Sequence, residues 1–492
     1  MKDATTKTHD AARAIVASLL IFASALMLAS CAVGPNFETP APPSVERFTP
    51  EKTADPGNGQ RFHEGAEVPA RWWTSFRSKR LDDLMDEAIA HNPSLEAAEA
   101  AIRVAEFNAR AATGAWFPQI ALNSNPTYNL DSGEATNSTL TQTPFSYFTK
   151  QVQISYTADI WGANLRLVES LDAQRENQLY QKQAAYMALT ANVAKAAIEE
   201  AALRGQIAAT RRVIDLEQER LALLERQMSF GGAAETDILS QRTTLAQARE
   251  TLPALESRLA RQRDLLTALA GRYPSDEVGE TFELAQLALP HDLPVSLPSQ
   301  LVAQRPDIKA AEANVHAASA QVGVALAARL PNVSLSANGG TSAIKLDQLF
   351  TPGTAFYTVA GNITQTVFDG MTLYNKQKAA EAALGQSQAQ YRDVVINAFK
   401  NVADTLRALQ ADARAVASAR AAEHTSKAYL DKIHSQWRYG GVSQLAIVDA
   451  QRSYLVAANA RIQVEAQRLT DTVALFMALG GGWDNREGAK PN

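Results

Sequence analysis

Residues 148–160 alternate in hydropathy: Val152, Ile154, Tyr156, Ala158 and Ile160 share one parity, while Thr149, Gln151, Gln153, Ser155, Thr157 and Asp159 share the other. Lys150 alone breaks the apolar row. A period of two predicts a strand with one apolar and one hydrophilic side. Residues 119–129 repeat the pattern, with Ile120, Leu122 and Tyr128 against Gln119, Asn123, Asn125 and Asn129. Residues 332–338 do so through Val333 and Leu335. A fourth stretch, 356–368, aligns Tyr357, Val359, Ile363 and Val367, but Gln365 interrupts it. Strands of about ten residues with this two-sidedness suit a membrane barrel with lipid outside and water inside. A soluble sandwich alternates in the same way, so the pattern alone leaves both open. Four strands are too few to close a barrel, which would then need several copies of the chain; three copies would give twelve.

The remaining periodicity is helical. No proline occurs between Pro144 and Pro253, or between Pro352 and Pro491. Residues 162–228 are rich in Ala, Leu, Gln, Glu and Arg, strong helix formers. At 1.5 Å per residue such a run spans on the order of 100 Å. Its apolar residues, among them Leu189, Val193, Ala196, Ala197, Leu203, Ile207 and Ile214, are small to medium and spread over more than one face. That spread suits a rod with helical neighbours on two sides. Gly231–Gly232 and Gly440–Gly441 mark reversals into helices over 238–269 and 447–479, so two helical hairpins are expected. An Ala-rich helical stretch over 81–114, broken or capped at Asn92 and Pro93, precedes the first strand.

The chain is written twice. "NPSLEAAEAAIRVAEFNARAATGAWFPQIAL" from Asn92 aligns without gaps with "RPDIKAAEANVHAASAQVGVALAARLPNVSL" from Arg305. Pro93 meets Pro306, Ala97-Ala98-Glu99 meets Ala310-Ala311-Glu312, and Pro118 meets Pro331. "SFGGAAETDIL" from Ser229 pairs with "RYGGVSQLAIV" from Arg438, so both the beginning and the end of the unit recur. Each half has the order helix, strand pair, very long helix, turn, helix. The expected organisation is a signal peptide over 1–30 and an extended segment over 31–70. A first repeat over 71–272, a linker over 273–296, a second repeat over 297–483 and a tail over 484–492 follow.

Lys2, Lys7 and Arg13 precede an apolar run over 14–28 and then Ala29, Ser30 and Cys31, the chain's single cysteine. This is the form of a secretory signal peptide, too short and one-sidedly flanked for a good membrane span. "LASC" resembles the lipobox of bacterial lipoproteins, which implies an S-diacylglycerol and an N-palmitoyl group on Cys31 as the first mature residue. Ala32 in the next position resembles lipoproteins forwarded to the outer membrane. Such acyl chains contribute about 0.8 kcal/mol per buried CH₂. The prolines from Pro35 to Pro50 favour a stiff, extended leash.

Composition mainly excludes. With 47 basic and 52 acidic residues intermixed, the net charge of −5 offers no basic field for nucleic acid. A lone cysteine forms no internal disulfide and, without a matched histidine, no catalytic thiol. No glycine-rich phosphate loop ending in Lys-Ser or Lys-Thr is present, so energy must come from a partner. The histidines past residue 30 are scattered without zinc spacing. No cofactor beyond the covalent lipid on Cys31 is expected, and no enzymatic activity. Trp72 and Trp73 suit packing anchors better than a binding box.

"WWTSFRSKRLDDLMDEAIAHNPSLEAAEAAI" from Trp72, "LPSQLVAQRPDIKAAEANVHAASAQVGVALAARLPNVSL" from Leu297 and "CAVGPNFETPAPP" from Cys31 resemble the outer-membrane factor (TolC-like) family of tripartite efflux pumps, and most of all its NodT-type lipoproteins. The resemblance covers residues 31–483. It implies a homotrimer whose twelve-stranded transmembrane β-barrel, four strands per chain, is continuous with a long α-helical barrel in the periplasm. It implies a passive exit duct for small molecules, drugs or metal ions, working with a periplasmic adaptor protein and an inner-membrane RND pump, and anchored in outer-membrane lipid. Asp159-Ile160-Trp161-Gly162 and Phe368-Asp369-Gly370 resemble the family's strand-to-helix corners. Its periplasmic gate falls, by resemblance, on Thr236 and Asp237 at the first hairpin tip and on Asp449 at the second. Ala446 replaces an Asp common in the motif, so an acidic ring at that level should be weaker or absent. Helix capping is the competing role for Asp237 and Asp449. The alternative reading is a periplasmic adaptor or scaffold lipoprotein with hairpins and no pore. An adaptor should carry one hairpin and flanking β-rich domains, where this chain has two hairpins and short amphipathic strands.

Overall fold

The computed structural model describes residues 32–51, 54–130 and 144–481. Residues 1–31, with the signal peptide and Cys31, lie outside the described residues, as do 52–53, 131–143 and 482–492. The chain forms two compact units, each drawing segments from both repeats. One holds 32–40, 101–178 and 311–391 of the described chain, and the other 41–100, 179–310 and 392–481.

Strands β1 (Arg61–Glu64), β2 (Gln119–Asn129), β3 (Phe145–Ala158), β4 (Asp292–Val295), β5 (Asn332–Ala343) and β6 (Ala355–Thr364) form two sheets. The helices are α1 (Lys79–His91), α2 (Pro93–Thr113), α3 (Ala163–Ser229), α4 (Glu235–Leu269), α5 (Pro298–Gln304), α6 (Pro306–Ala327), α7 (Thr372–Arg438) and α8 (Gln444–Ala478). The two halves match closely in their long elements: α3 and α7 are each 67 residues, α4 and α8 each 35.

The first unit carries a four-stranded antiparallel sheet in the order β2-β3-β5-β6. Its cross-strand register sorts side chains by face. Ile120, Ile154, Ala337 and Val359 stand in one row, and Leu122, Val152, Gly339 and Tyr357 in the next. Directly paired residues share a face, so the opposite side gathers Asn123, Gln151, Gln153, Asn338 and Thr358. The fourth strand ends at Thr364, short of the expected 368. Gln365, which interrupts the apolar row in the sequence, lies beyond the strand and donates to the carbonyls of Arg329 and Thr366. Lys150 sits on the apolar side with its Nζ 5.6 Å from the ring centre of Phe350.

The strands hand over to the rods through capped corners. Asp159 Oδ2 accepts the Leu165 N–H, and Asp369 accepts the N–H groups of Thr372 and Leu373. A carboxylate on these orphan donors stabilises a helix start by about 0.5–2 kcal/mol. Gly162 and Gly370 adopt positive φ at these turns.

The second unit is centred on Trp72, Trp73 and Phe76, all at most 2% exposed, with Trp72 5.4 Å from the Phe476 ring. The tryptophans are packing anchors. β1 pairs in parallel with β4. Neither strand is evident in the sequence, since four-residue runs such as "RFHE" and "DLPV" carry no readable period. In α3, Ala194, Ala197, Ile198, Ala201 and Ala202 form one buried stripe, and Val193, Ala196 and Leu203, buried too, lie off it, so apolar side chains occupy more than one face of the rod. Glu200, fully buried among them, accepts from Arg204 Nε at 2.5 Å, Arg263 Nη1 at 3.2 Å and the Phe282 N–H at 2.9 Å. Arg263 also holds the carbonyls of Val278 and Glu280, which fastens the inter-repeat segment to α4.

Candidate functional site: a two-sided sheet and two hairpin tips

Two features of the chain are built for more than packing. The first is the sheet. Its apolar side is exposed: Ile120, Leu122, Tyr128, Tyr357, Val359 and Ile363 are each at least 72% exposed. A monomeric soluble protein rarely shows so continuous an apolar surface. The polar side is internally bonded, as between Asn123 Nδ2 and Gln153 Oε1 at 3.0 Å. Strands β2 and β6 are both edges, each with one row of backbone groups unpaired among the described residues.

The second feature lies within the other unit, where each rod turns back. Gly231 and Gly440 adopt φ of 76° and 72°. Gly232 N–H donates to Gln227 O at 2.8 Å and Gly441 N–H to Gln436 O at 2.9 Å, so the two repeats end their rods with one geometry. Beside these turns Phe230 and Tyr439 are each 89% exposed.

Thr236 is exposed in the first turn of α4. Asp237, half-buried, accepts the Ala234 N–H at 3.2 Å through Oδ2, and its own N–H donates to Ala234 O. It therefore caps α4. Its counterpart in the second repeat is Ala446, which packs beside the apolar cluster of Leu430, Ile433, Ile447 and Ala450. Asp449 is exposed in the second turn of α8, too far along for capping. Both tips thus present polar groups to solvent, but the halves are unequal: only the first carries a carboxylate at its cap.

Nine residues before the end of α3, Arg220 is buried at 6% exposure and reaches α7 and α8. Its guanidinium lies 5.6 Å from the Trp437 ring centre, and Nη1 donates to Gln451 Oε1 at 3.3 Å. A charged residue in an Ala/Leu/Glu/Arg-rich rod gives no sequence signal of burial, so this group escaped the sequence reading.

The first unit holds the start of the described chain. Arg166 donates to Val33 O at 3.2 Å, Asn36 Oδ1 at 2.7 Å and Glu169 Oε2 at 2.8 Å. Phe37 stacks on His316 at 4.3 Å, and His316 Nε2 lies 3.1 Å from Glu169 Oε1. The residues following Cys31 are therefore docked along α3 and α6, although Cys31 itself lies outside the described residues. Among the described residues no helix is long and apolar enough to cross a membrane, and no three His, Cys, Asp or Glu side chains gather as a metal site would require.

A sheet with an exposed apolar face and two open edges, in a chain with paired helical hairpins, has the form of a pore-forming transport protein. The chain belongs to the outer membrane efflux protein family, whose model matches residues 84–272 and 297–481. It is 30% identical over 458 residues to the pyoverdine export outer membrane protein OpmQ of Pseudomonas putida, covering 90% of this chain and 94% of that protein. It is 25% identical over 472 residues to the probable outer membrane lipoprotein SilC of Salmonella typhimurium, covering 94% and 98%. In structure it superposes on the Campylobacter jejuni CmeC outer membrane channel with a TM-score of 0.84 at 19% identity, covering 92% of this chain and 96% of that one. The fold is TolC-like, with long helices and a four-strand antiparallel sheet. The protein is an outer-membrane channel of tripartite efflux systems, a transport protein rather than an enzyme, and it extends into the periplasm. Family members form trimeric channels in such systems.

Proposed function

We propose that three copies of this chain join β6 of one to β2 of the next, closing a twelve-stranded barrel with lipid against Leu122, Val152 and Val359 and water against Asn123 and Gln153. The observation that carries this is the pair of open edges on a sheet whose apolar side is already exposed. Backbone groups left unpaired in hydrocarbon cost several kcal/mol each, so four strands alone are not viable there. The repeats over 71–272 and 297–483 each supply two strands and one hairpin.

Cys31 carries the S-diacylglycerol and N-palmitoyl anchor, a reading supported by the "LASC" sequence and by the relative whose name describes a lipoprotein. The hairpin tips, with Thr236, Asp237 and Asp449, narrow the duct. Exposed Phe230 and Tyr439 offer apolar surface there for a periplasmic adaptor, and an inner-membrane RND pump supplies the energy. Because Ala446 stands where the first repeat has Asp237, the ring of charge at that level is halved and cation preference is weak. Small molecules, drugs or metal ions are the cargo.

The test is conductance of the purified protein in planar bilayers together with its oligomeric mass. Trimers that conduct, and conduct more often after Asp237→Asn with Asp449→Asn, support the reading. A monomer that never conducts in either form removes it. Cys31→Ala abolishes labelling by radioactive palmitate; persistent labelling moves the anchor elsewhere.

A further inference from the structure

Arg220 is a buried cation for which the fold supplies little. Its Nε and Nη2 are buried without a hydrogen-bond partner among the described residues, and so is Nε2 of Gln451 beside it. A buried charge ordinarily keeps its place through an ion pair and a full set of hydrogen bonds. Here the guanidinium has one long hydrogen bond and the face of Trp437. Burial pushes its pKa down to about 10, so it stays charged at any ordinary pH.

The natural partner is close but engaged. Glu217 stands one turn earlier on α3, at 1% exposure, the spacing at which a carboxylate and a guanidinium meet on a helix. Its carboxylate instead accepts from Gln241 Nε2 on α4, and among the described residues no ion pair joins it to Arg220. Burial pushes the Glu217 carboxyl up. His434 on α7 is held below its ordinary value, by burial and then by the Arg220 charge. The unpaired cation therefore weakens a second group in the same cluster. At the matching position of the second repeat stands Tyr429, which is half-exposed, so the cluster exists on one side of the repeat only.

Two arrangements of one arginine are thus available. In the observed one, Arg220 and Glu217 are bonded across to different helices and the cation is undersatisfied. In the other, they pair with each other along α3, Arg220 giving up Gln451 and Trp437 on α8 and α7 and Glu217 giving up Gln241 on α4. We propose that Arg220 is a conformational switch of the hairpin pair, seated on Trp437 while the helices pack together and released to Glu217 and solvent when they part. Its unmet desolvation biases the tip toward opening, so an adaptor need supply less. This rests on the channel reading given above, and adds to the tip residues Thr236, Asp237 and Asp449 a group that pushes rather than latches.

Charge, not shape, makes the prediction. Arg220→Met keeps the stem and much of the volume over Trp437 while removing the cation. Purified trimers of this variant show a several-fold lower open probability in planar bilayers and a higher Tm than wild type. Arg220→Lys keeps the charge and stays near wild type in both. Glu217→Gln removes the partner of the open form and also lowers the open probability. The proposal is overturned if Arg220→Met opens more often or melts earlier, as loss of a merely structural contact would cause, or if Arg220→Lys behaves like Arg220→Met. A wild-type protein that never conducts sinks the channel reading instead, and the melting comparison still decides whether Arg220 is an undersatisfied charge.

Discussion

Arg305 Nη1 donates to the carbonyl oxygen of Ala478 at 2.7 Å, tying the start of α6 to the last residue of α8. The first repeat makes the same tie with a different side chain: Asn92 Nδ2 donates to Leu269 O at 2.9 Å, at the end of α4. Both donors stand just before the proline that opens a helix, where the chain is extended and free to turn its side chain toward the hairpin's end. Both acceptors are last-turn carbonyls without a helical partner. The charged version is worth more. Arg305→Ala is expected to cost about 1.5–3 kcal/mol and Asn92→Ala about 0.5–1.5 kcal/mol, measured by thermal or denaturant unfolding. Equal and negligible losses would show that the ties are incidental.

That repetition marks how far the sequence could be followed. The duplication, the glycine turns and the alternating strands were legible because each imposes a period or a residue type on many positions. Position 92 and position 305 align, yet Asn and Arg share no obvious chemistry, so the common tie is visible only in space. The strand pair β1 and β4 was hidden because its partners lie 231 residues apart and each offers four residues. Gln365 looked like a fault in a strand because the strand's end, not its pattern, was misplaced. At the tips, Asp237 and Asp449 look alike in sequence, but one lies at the third helical position and caps while the other lies a turn later and does not. Arg220 left no trace, since burial of a single charge changes no periodicity.

Asp412 on α7 provides a pH test. Its Oδ2 is buried without a donor among the described residues, and its pKa is raised to about 7, by burial first and then by the Asp471 carboxyl on α8, with Arg468 opposing. Arg468 in turn donates to Gln60 Oε1 at 2.9 Å and Gly57 O at 2.8 Å, holding the 57–60 segment. A carboxyl whose folded pKa lies above its unfolded value near 4 binds more protons when folded. Stability therefore falls as pH rises from about 4 to about 7 and levels off above. Asp412→Asn should flatten that fall, so its Tm exceeds that of wild type at pH 8 by more than at pH 5. An unchanged difference between the two pH values would assign the proton elsewhere.

Gly34 and Gly323 touch through their backbones. A Cβ on Gly323 would stand 2.8 Å from Val33 O and from Arg166 Cγ, and one on Gly34 only 2.5 Å from the Gly323 Cα. Backbone cannot yield as a side-chain tip can, so Gly323→Val should expel residues 33–37 and cost about 1–3 kcal/mol. Limited proteolysis or hydrogen exchange reads the release directly, through loss of protection over 33–37. Palmitate labelling at Cys31 should persist, which separates docking of the segment from its acylation.

Glu200 is fully buried between Arg204 and Arg263 and also holds the Phe282 N–H. Removing it leaves the buried Phe282 N–H without its acceptor and takes one partner each from Arg204, which is a third exposed, and from Arg263, which keeps Glu277 and the carbonyls of Val278 and Glu280. Breaking a buried pair from one side typically costs about 3–5 kcal/mol. Because both arginines keep solvent or other partners, Glu200→Ala should lose less, about 1–3 kcal/mol for the stranded donor, seen as a drop in Tm, with the 277–282 segment opening first to proteases. Glu200→Gln, which keeps an acceptor for Phe282, should lose less.

Leu122 and Asn123 are neighbours on β2 that face opposite ways, Leu122 paired with Val152 and Asn123 with Gln151. If the exposed apolar side meets hydrocarbon, an arginine there is penalised by about 2–4 kcal/mol near the bilayer midplane, while one on the water side is not. Leu122→Arg should therefore reduce heat-resistant trimers in outer-membrane fractions, and Asn123→Arg should leave assembly intact while altering conductance. A packed soluble sandwich would reverse neither sign nor place: its apolar face would be interior, and Leu122→Arg would unfold the chain even in detergent. Folded Leu122→Arg protein in detergent that fails only at membrane assembly thus distinguishes a lipid-facing surface from a buried one, because the two substitutions differ by one residue in sequence and by the whole thickness of the sheet in space.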